Sequence, residues 1–219
     1  GAYVCILYAM KYPQYIDHLI LISPVGVPEK PQENSDRLPS ANNRQIPYYI
    51  RLMIRFFTLL WNLGYTPHDI LRFMGPKGKE FLFWVVDKRL FRLDDADESG
   101  VVLKELLAEY LWHILAMNGG ASGEYALNKI LLPGAYARDP LCHRIGGLHE
   151  LQKQYKFDID FIYGSNDWMD SKHALALKEN NIVDCGVYVV DRCGHQLILE
   201  NYQEFAQVLG NVIVKGQLV

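Results

Sequence analysis

The sequence lacks features that define several large classes of protein. Its four cysteines include no Cys-x-x-Cys pair, which argues against a disulfide framework or a structural zinc site and fits a reducing compartment. No run of about 20 apolar residues is free of charge, so the sequence predicts no transmembrane helix. The 22 lysines and arginines nearly balance the 25 aspartates and glutamates, and this balance does not indicate a nucleic-acid partner.

The sequence does contain alternating strand and helix patterns. Half of the 219 residues are apolar, which is enough for a sizeable core. Helical spacing predicts a helix over 2–12, and the apolar run HLILISPVGVP (18–28) predicts a strand covered on both faces. FDIDFIYG (157–164) predicts a strand whose one face carries Phe157, Ile159, Phe161 and Tyr163, and GVYVVD (186–191) predicts another. Helices between and after these strands predict an α/β fold with a parallel sheet.

The segment between the first two strands has a different composition. Residues 29–45 are polar and contain Pro31 and Pro39, which predicts a loop. Long apolar and aromatic stretches follow without an alternating strand pattern, so we interpret residues 45–145 as an inserted helical cap. The sheet core is then predicted to consist of residues 1–44 and 146–219.

Polar side chains follow two of the predicted strands at their carboxyl ends. Asp167 follows the strand that stops at Gly164, and His195 follows the strand that stops near Asp191. In open parallel sheets, functional sites gather at this edge. A carboxylate beside a histidine fixes the tautomer of the ring and stabilises the imidazolium, so the histidine can take a proton from a hydroxyl nucleophile. The sequence predicts Asp167 and His195 as catalytic, with Asp170 as the alternative acid.

Other roles for these residues stay open. Aspartate is common in turns, so a turn-capping role is the alternative for Asp167. Cys193 lies two positions before His195, but a thiol nucleophile and its base normally come from separate elements. His143, His149, Cys185 and Cys193 show no standard ligand spacing, so neither a metal site nor an organic cofactor is predicted.

The expected nucleophile lies outside the sequence. In one known chain order, a serine on a G-x-S-x-G turn comes first, then the acid, then the histidine. The opening GAYVCILYAMKYP resembles the helix that follows such a turn, which makes Gly1 the last glycine of the motif. The serine is then expected two residues before Gly1, together with one amide of the oxyanion hole. We therefore expect these 219 residues alone to be catalytically inactive.

Five segments carry a resemblance to a known family. They are GAYVCILYAMKYP, HLILISPVGVP, GASGEYALNKILLPGAYARDPLCHRI, FIYGSNDWMD and GHQLILENYQEF. The chain resembles the C-terminal part of an α/β-hydrolase of the CGI-58-like (ABHD4/ABHD5-type) group of lipid acyl hydrolases and acyltransferases. The resemblance implies a serine-type hydrolase that acts on phospholipids or lysophospholipids, and it leaves two alternatives, a lysophospholipid acyltransferase and a non-catalytic lipid-binding regulator of a lipase. The acyltransferase members carry an H-x4-D motif, and here Glu200 replaces the aspartate.

Two further features of the sequence suggest how a substrate or a membrane could be bound. Arg138 and Tyr136, in PGAYARDPL, are predicted to bind substrate, and the guanidinium of Arg138 suits a phosphate, although an ion pair on the surface is equally compatible. The aromatic and basic stretch PYYIRLMIRFFTLLW (47–61) predicts either a cap helix that lines an acyl pocket or a helix at a bilayer interface. The expected location is intracellular, in the cytoplasm or peripheral on membranes or lipid droplets, with mitochondria as a further candidate.

Overall fold

The centre of the fold is a parallel sheet. The computed structural model describes residues 1–30, 47–90, 98–117 and 123–217, and within these it contains three strands in the order β1-β2-β3. They are β1 (His18–Ile22), β2 (Asp158–Gly164) and β3 (Gly186–Val190). Both pairs are parallel, with Leu21 opposite Phe161 and Phe161 opposite Val187. The parallel sheet predicted from the strand and helix pattern is confirmed.

Helices make up most of the remaining described chain. In chain order they are α1 (Ala2–Lys11), α2 (Tyr48–Asn62), α3 (Pro67–Met74), α4 (Pro76–Arg89), α5 (Glu98–Trp112), α6 (Leu127–Ile130), α7 (Leu141–Arg144), α8 (Gly146–Tyr155), α9 (Lys172–Glu179), α10 (Leu197–Glu200) and α11 (Tyr202–Gln217). Single 3₁₀ turns cover Pro13–Tyr15 and Gly123–Ala126, and a π-helical turn covers His113–Met117. No helix among the described residues is long and apolar enough to cross a bilayer.

Strand β2 is buried on both of its faces. Phe157, Ile159, Phe161 and Tyr163 share one core cluster with residues of α1 and α8, which confirms the predicted one-sided placement of these four side chains. The opposite face of β2 carries Ile162, which packs in a second cluster with residues of α10 and α11. Helices therefore cover the sheet on both sides, and the carboxyl ends of the strands remain as the edge where loops can meet.

Strand β1 is shorter than the sequence predicted. The apolar run at 18–28 was expected to be one strand, but the strand ends at Ile22 and Ser23 has a left-handed φ of 44°. The physical reason is Pro24, which has no N–H to donate and cannot continue the ladder. The residues after Pro24 form hydrogen bonds outside the sheet. For example, the carbonyl of Gly26 accepts from the N–H of Leu141 at 3.0 Å.

The described residues between β1 and β2 are mostly helical, as the sequence predicted. Helices α3 to α5 form a separate apolar cluster that includes Leu71, Leu82, Val86 and Ala108. The described residues of this region also include an isolated antiparallel β-bridge between Leu131 and Ala137. The division into 1–44, 45–145 and 146–219 stays a prediction, and most of the predicted loop at 29–45 lies outside the described residues.

Candidate active site

Two loops lie against each other at the carboxyl edge of the sheet. The loop after β2 donates its Ser165 N–H to the carbonyl of Val190 at 2.8 Å and its Asn166 N–H to the carbonyl of Cys193 at 2.9 Å. Gly164, at the end of β2, permits this approach, because a Cβ at that position would come within 2.6 Å of the Cys193 carbonyl oxygen. The missing side chain of Gly164 therefore lets the loop after β3 lie close to the loop after β2.

The close packing brings together the two predicted catalytic side chains. His195 Nδ1 lies 3.0 Å from Asp167 Oδ1, and because a carboxylate can only accept, the ring donates from Nδ1. The Asp167 side chain is fully buried, whereas that of His195 is 28% exposed. The N–H of Met169 donates to the same oxygen of Asp167 at 2.9 Å. This arrangement fixes the tautomer of the imidazole and leaves Nε2 to accept a proton.

The environment of Asp167 favours its charged form. Burial by itself raises the pKa of Asp167, but the hydrogen bonds from the His195 ring and from the Met169 N–H outweigh burial, so the pKa lies below its ordinary value. Asp167 Oδ2 and Ser23 Oγ are both buried and have no hydrogen-bond partner among the described residues. Ser23 follows β1 directly, which places its hydroxyl at the same edge of the sheet.

His195 lines a cavity of about 470 Å³ between α4 and the two loops. Val85, Lys88 and Arg89 of α4 form one wall, and Trp168 contributes to the other. The Trp168 ring packs against the imidazole with a centroid separation of 4.9 Å. The cavity gives a ligand direct access to the histidine ring, and the indole restricts how that ring can rotate.

Glu200 holds the backbone on both sides of the histidine. Its Oε2 accepts from the N–H of Gly194 at 2.9 Å, and its Oε1 accepts from the N–H of Gln196 at 3.1 Å. Gln196 is also the N-cap of α10, so the carboxylate lies at the positive end of this short helix. Glu200 therefore fixes the backbone on both sides of His195.

The alternative residues are placed elsewhere. The carboxylate of Asp170 accepts from the Lys172 N–H at 2.9 Å ahead of α9, so Asp170 caps that turn. The Cys193 thiol is buried, and its Sγ donates to the Val190 carbonyl at 3.4 Å. His143 lies 3.3 Å from Glu29 on the exposed surface. In the described part of the chain, no group of three or more acidic, histidine or cysteine side chains is placed to hold a metal ion.

Of the two predicted substrate-binding residues, one lines a cavity and the other does not. Tyr136 lines a second cavity of about 280 Å³, which shares Trp168 with the cavity at His195. Arg138 lies outside the lining of both cavities, and its Nε donates to the Asn128 carbonyl at 2.8 Å. Its neighbour Asp139 forms an ion pair with Arg144. A phosphate-binding role for Arg138 stays a prediction.

Sequence reasoning missed several residues that shape this site. Glu200 was noticed only as a departure from the H-x4-D motif, although a glutamate in the first turn of a helix commonly reaches back to the N-cap N–H. Ser23 and Gly164 carried no signal beyond their positions at strand ends. Lys88 and Arg89 gave no signal at all, because only the folded chain brings α4 next to the loop of His195.

The chain is similar in sequence to known proteins over nearly its whole length. No family model matches the sequence. The chain is 30% identical over 205 residues to "1-acylglycerol-3-phosphate O-acyltransferase" of Arabidopsis thaliana, which covers 92% of this chain and 44% of that protein. It is 26% identical over 210 residues to "1-acylglycerol-3-phosphate O-acyltransferase ABHD5" of Homo sapiens, with 94% of this chain and 53% of that protein covered.

Two further proteins complete the comparison. The chain is 30% identical over 182 residues to the "(Lyso)-N-acylphosphatidylethanolamine lipase" of Mus musculus, which covers 81% of this chain and 45% of that protein. A solved "Thioesterase Domain From Curacin Biosynthetic Pathway" superposes with a TM-score of 0.46 at 14% identity, over 97% of this chain and 63% of that structure. The chain thus spans about half the length of the curated relatives that it matches.

Proposed function

This chain belongs to the ABHD4/ABHD5-type group of α/β-hydrolases, and from that premise we propose that the full-length protein is a serine-type acyl-ester hydrolase of phospholipids or lysophospholipids. The observation that carries the proposal is the 3.0 Å contact between His195 Nδ1 and Asp167 Oδ1 beside a cavity at the carboxyl edge of the sheet. The relatives' names, an acylglycerol-phosphate acyltransferase and a (lyso)-N-acylphosphatidylethanolamine lipase, support the substrate class.

The proposed mechanism assigns one role to each residue. A serine, expected two residues before Gly1, attacks the ester carbonyl while His195 Nε2 takes its proton, and Asp167 stabilises the resulting imidazolium. The histidine then gives the proton to the departing alcohol, and an acyl-enzyme remains. Water then attacks the acyl-enzyme with His195 again as base, and His195 returns the proton to the serine oxygen as the acyl–serine bond breaks and the fatty acid leaves. Glu200 acts as a positioning residue that keeps Nε2 at the cavity.

Labelling with a fluorophosphonate tests this mechanism in the full-length protein. We expect the wild type to incorporate the probe and to release fatty acid from 1-acylglycerol 3-phosphate. His195→Ala should lose both properties, because no base would activate the serine. The control variant His143→Ala removes an exposed histidine that pairs with Glu29 and should behave as the wild type. A wild-type protein with neither labelling nor hydrolysis would contradict the proposal and favour a non-catalytic regulator.

Acyl transfer is the second candidate activity. The relatives named as acyltransferases support it, and Glu200 keeps a carboxylate at the last position of the H-x4-D pattern. In this case the acyl-enzyme would pass its acyl group to the hydroxyl of a lysophospholipid rather than to water. Formation of a diacyl product from labelled acyl-CoA and 1-acylglycerol 3-phosphate, dependent on His195, separates transfer from hydrolysis.

We also propose that the protein binds membranes or lipid droplets peripherally, from an intracellular compartment. Helix α2 supports this idea, because none of its side chains is buried and Tyr48, Leu52 and Phe56 are each more than half exposed. These residues recur every four positions along one stripe, and Arg51 and Arg55 occupy another. An exposed apolar stripe with basic neighbours suits the interface of an anionic bilayer.

A further inference from the structure

The cavity at His195 has cationic side chains on one wall. Lys88 and Arg89, in the last turn of α4, line it opposite the histidine loop. Val85 from the same helix and Trp168 from the loop after β2 add apolar surface beside the imidazole. The cavity therefore combines a reactive ring, an apolar wall and two positive charges within about 470 Å³.

Nearby carboxylates offset these positive charges only in part. Asp87 lies 3.7 Å from Lys88, but it forms the closer contact, 3.0 Å, with the buried Lys104. The Lys88 side chain is 64% exposed, so its pairing with Asp87 is weak. Arg89 has no carboxylate partner among the residues that the structure describes. Glu200 also lines the cavity and keeps its negative charge while its oxygens accept backbone N–H groups of the histidine loop. Two positive side chains and one negative side chain therefore leave the lining with a net charge of +1.

We propose that Lys88 and Arg89 form the subsite for the phosphate group of a lysophospholipid whose acyl ester lies at His195. The proposal rests on the hydrolase function above and adds the identity of the headgroup site. A phosphate monoester carries close to two negative charges and offers several acceptor oxygens, which matches one point charge and one planar guanidinium. The apolar surface of Val85 and Trp168 would cover the glycerol and the first part of the acyl chain.

The subsite predicts a selective loss of activity toward phosphorylated substrates. In the full-length protein, the double variant Lys88→Gln/Arg89→Gln should lower kcat/KM for 1-oleoylglycerol 3-phosphate by about 10- to 100-fold, mainly through KM. Hydrolysis of 1-oleoylglycerol, which has no phosphate, should stay within about twofold of the wild type, because the loop contacts around His195 are untouched. Inorganic phosphate should inhibit the wild type more strongly than the double variant. This measurement tests recognition of the phosphate group without the rest of the lipid.

A matched control removes two positive charges elsewhere. Lys77 is exposed at the first turn of α4, and Lys153 is exposed on α8, where it forms a surface pair with Glu150. Neither residue lines the cavity at His195. Lys77→Gln/Lys153→Gln should therefore leave both substrates unaffected. Equal losses on both substrates in the cavity variant, or no loss on either, would overturn the phosphate subsite.

A binding experiment tests the subsite independently of turnover. Ether analogues, 1-O-alkylglycerol 3-phosphate and 1-O-alkylglycerol, have no ester to cleave and can be titrated below their critical micelle concentration by calorimetry. The wild type should bind the phosphorylated ether at least tenfold more tightly than the neutral ether, and the cavity variant should bind the two about equally. If the protein hydrolyses no ester but keeps this difference in affinity, the proposed hydrolase function fails and the subsite stands. If both ethers bind the wild type equally, the subsite is refuted even for an active hydrolase.

Discussion

Substitution of Glu200 by glutamine separates the positioning of His195 from its chemistry. In the wild type, two different carboxylate oxygens accept two different N–H groups, those of Gly194 and Gln196. A glutamine side chain has a single acceptor oxygen, so its NH₂ group must face one of the two N–H donors. Glu200→Gln therefore breaks at least one of these bonds while changing almost nothing in size.

The magnitude follows from where the two bonds lie. The bond to Gly194 is partly buried, whereas the bond to Gln196 is exposed and its N–H can be hydrated when the bond is lost. We expect the amide oxygen to keep Gly194 and to release Gln196. Losing one exposed, charge-assisted bond and weakening the other costs about 1–2 kcal/mol of local stability. This cost corresponds to about a 5- to 30-fold increase in opening of the loop.

Amide hydrogen exchange in the full-length protein measures this opening directly and does not depend on any assumed activity. Exchange at Gln196 should accelerate by about 5- to 30-fold in Glu200→Gln, with a smaller effect at Gly194. The Glu200→Asp variant keeps both oxygens and should lie between wild type and Glu200→Gln. Glu179→Gln, at the end of α9, serves as the control. Unchanged exchange at both amides would refute the role of Glu200 in holding the loop of His195.

Two further predictions follow from the same structure. The low pKa of Asp167 means that its charged form stabilises the fold at pH values above the unfolded pKa and that this contribution disappears as the pH falls through the folded pKa. Asp167→Asn should therefore reduce the free energy of urea unfolding by about 1–3 kcal/mol at pH 7. The reduction should become progressively smaller below about pH 4. An equal reduction at all pH values would contradict this account. Leu52→Gln/Phe56→Gln should weaken sedimentation with anionic phosphatidylcholine–phosphatidic acid vesicles by about tenfold or more, because both side chains are exposed on α2. Equal sedimentation with wild type would exclude this helix as the membrane contact.

Strand and helix periodicity carried most of the information on the fold. The apolar alternation in FDIDFIYG correctly assigned Phe157, Ile159, Phe161 and Tyr163 to one face, because side chains in a strand alternate between its two faces. The length of β1 was overestimated, since apolarity alone does not reveal that Pro24 ends the ladder. Helical periodicity likewise located the helices between β1 and β2, although the division of the chain into core and cap stays a prediction.

The sequence alone determined the chemical identity of the candidate pair, because Asp167 and His195 each follow a strand of a parallel sheet and the ends of such strands share one edge. Only the tertiary structure decided their separation of 3.0 Å, since that distance depends on the close contact of two loops at Gly164. The tertiary structure also decided which basic side chains lie near the histidine. Helix α4 presents Lys88 and Arg89 to the loop of His195 through packing between segments far apart in the chain, which no local pattern encodes.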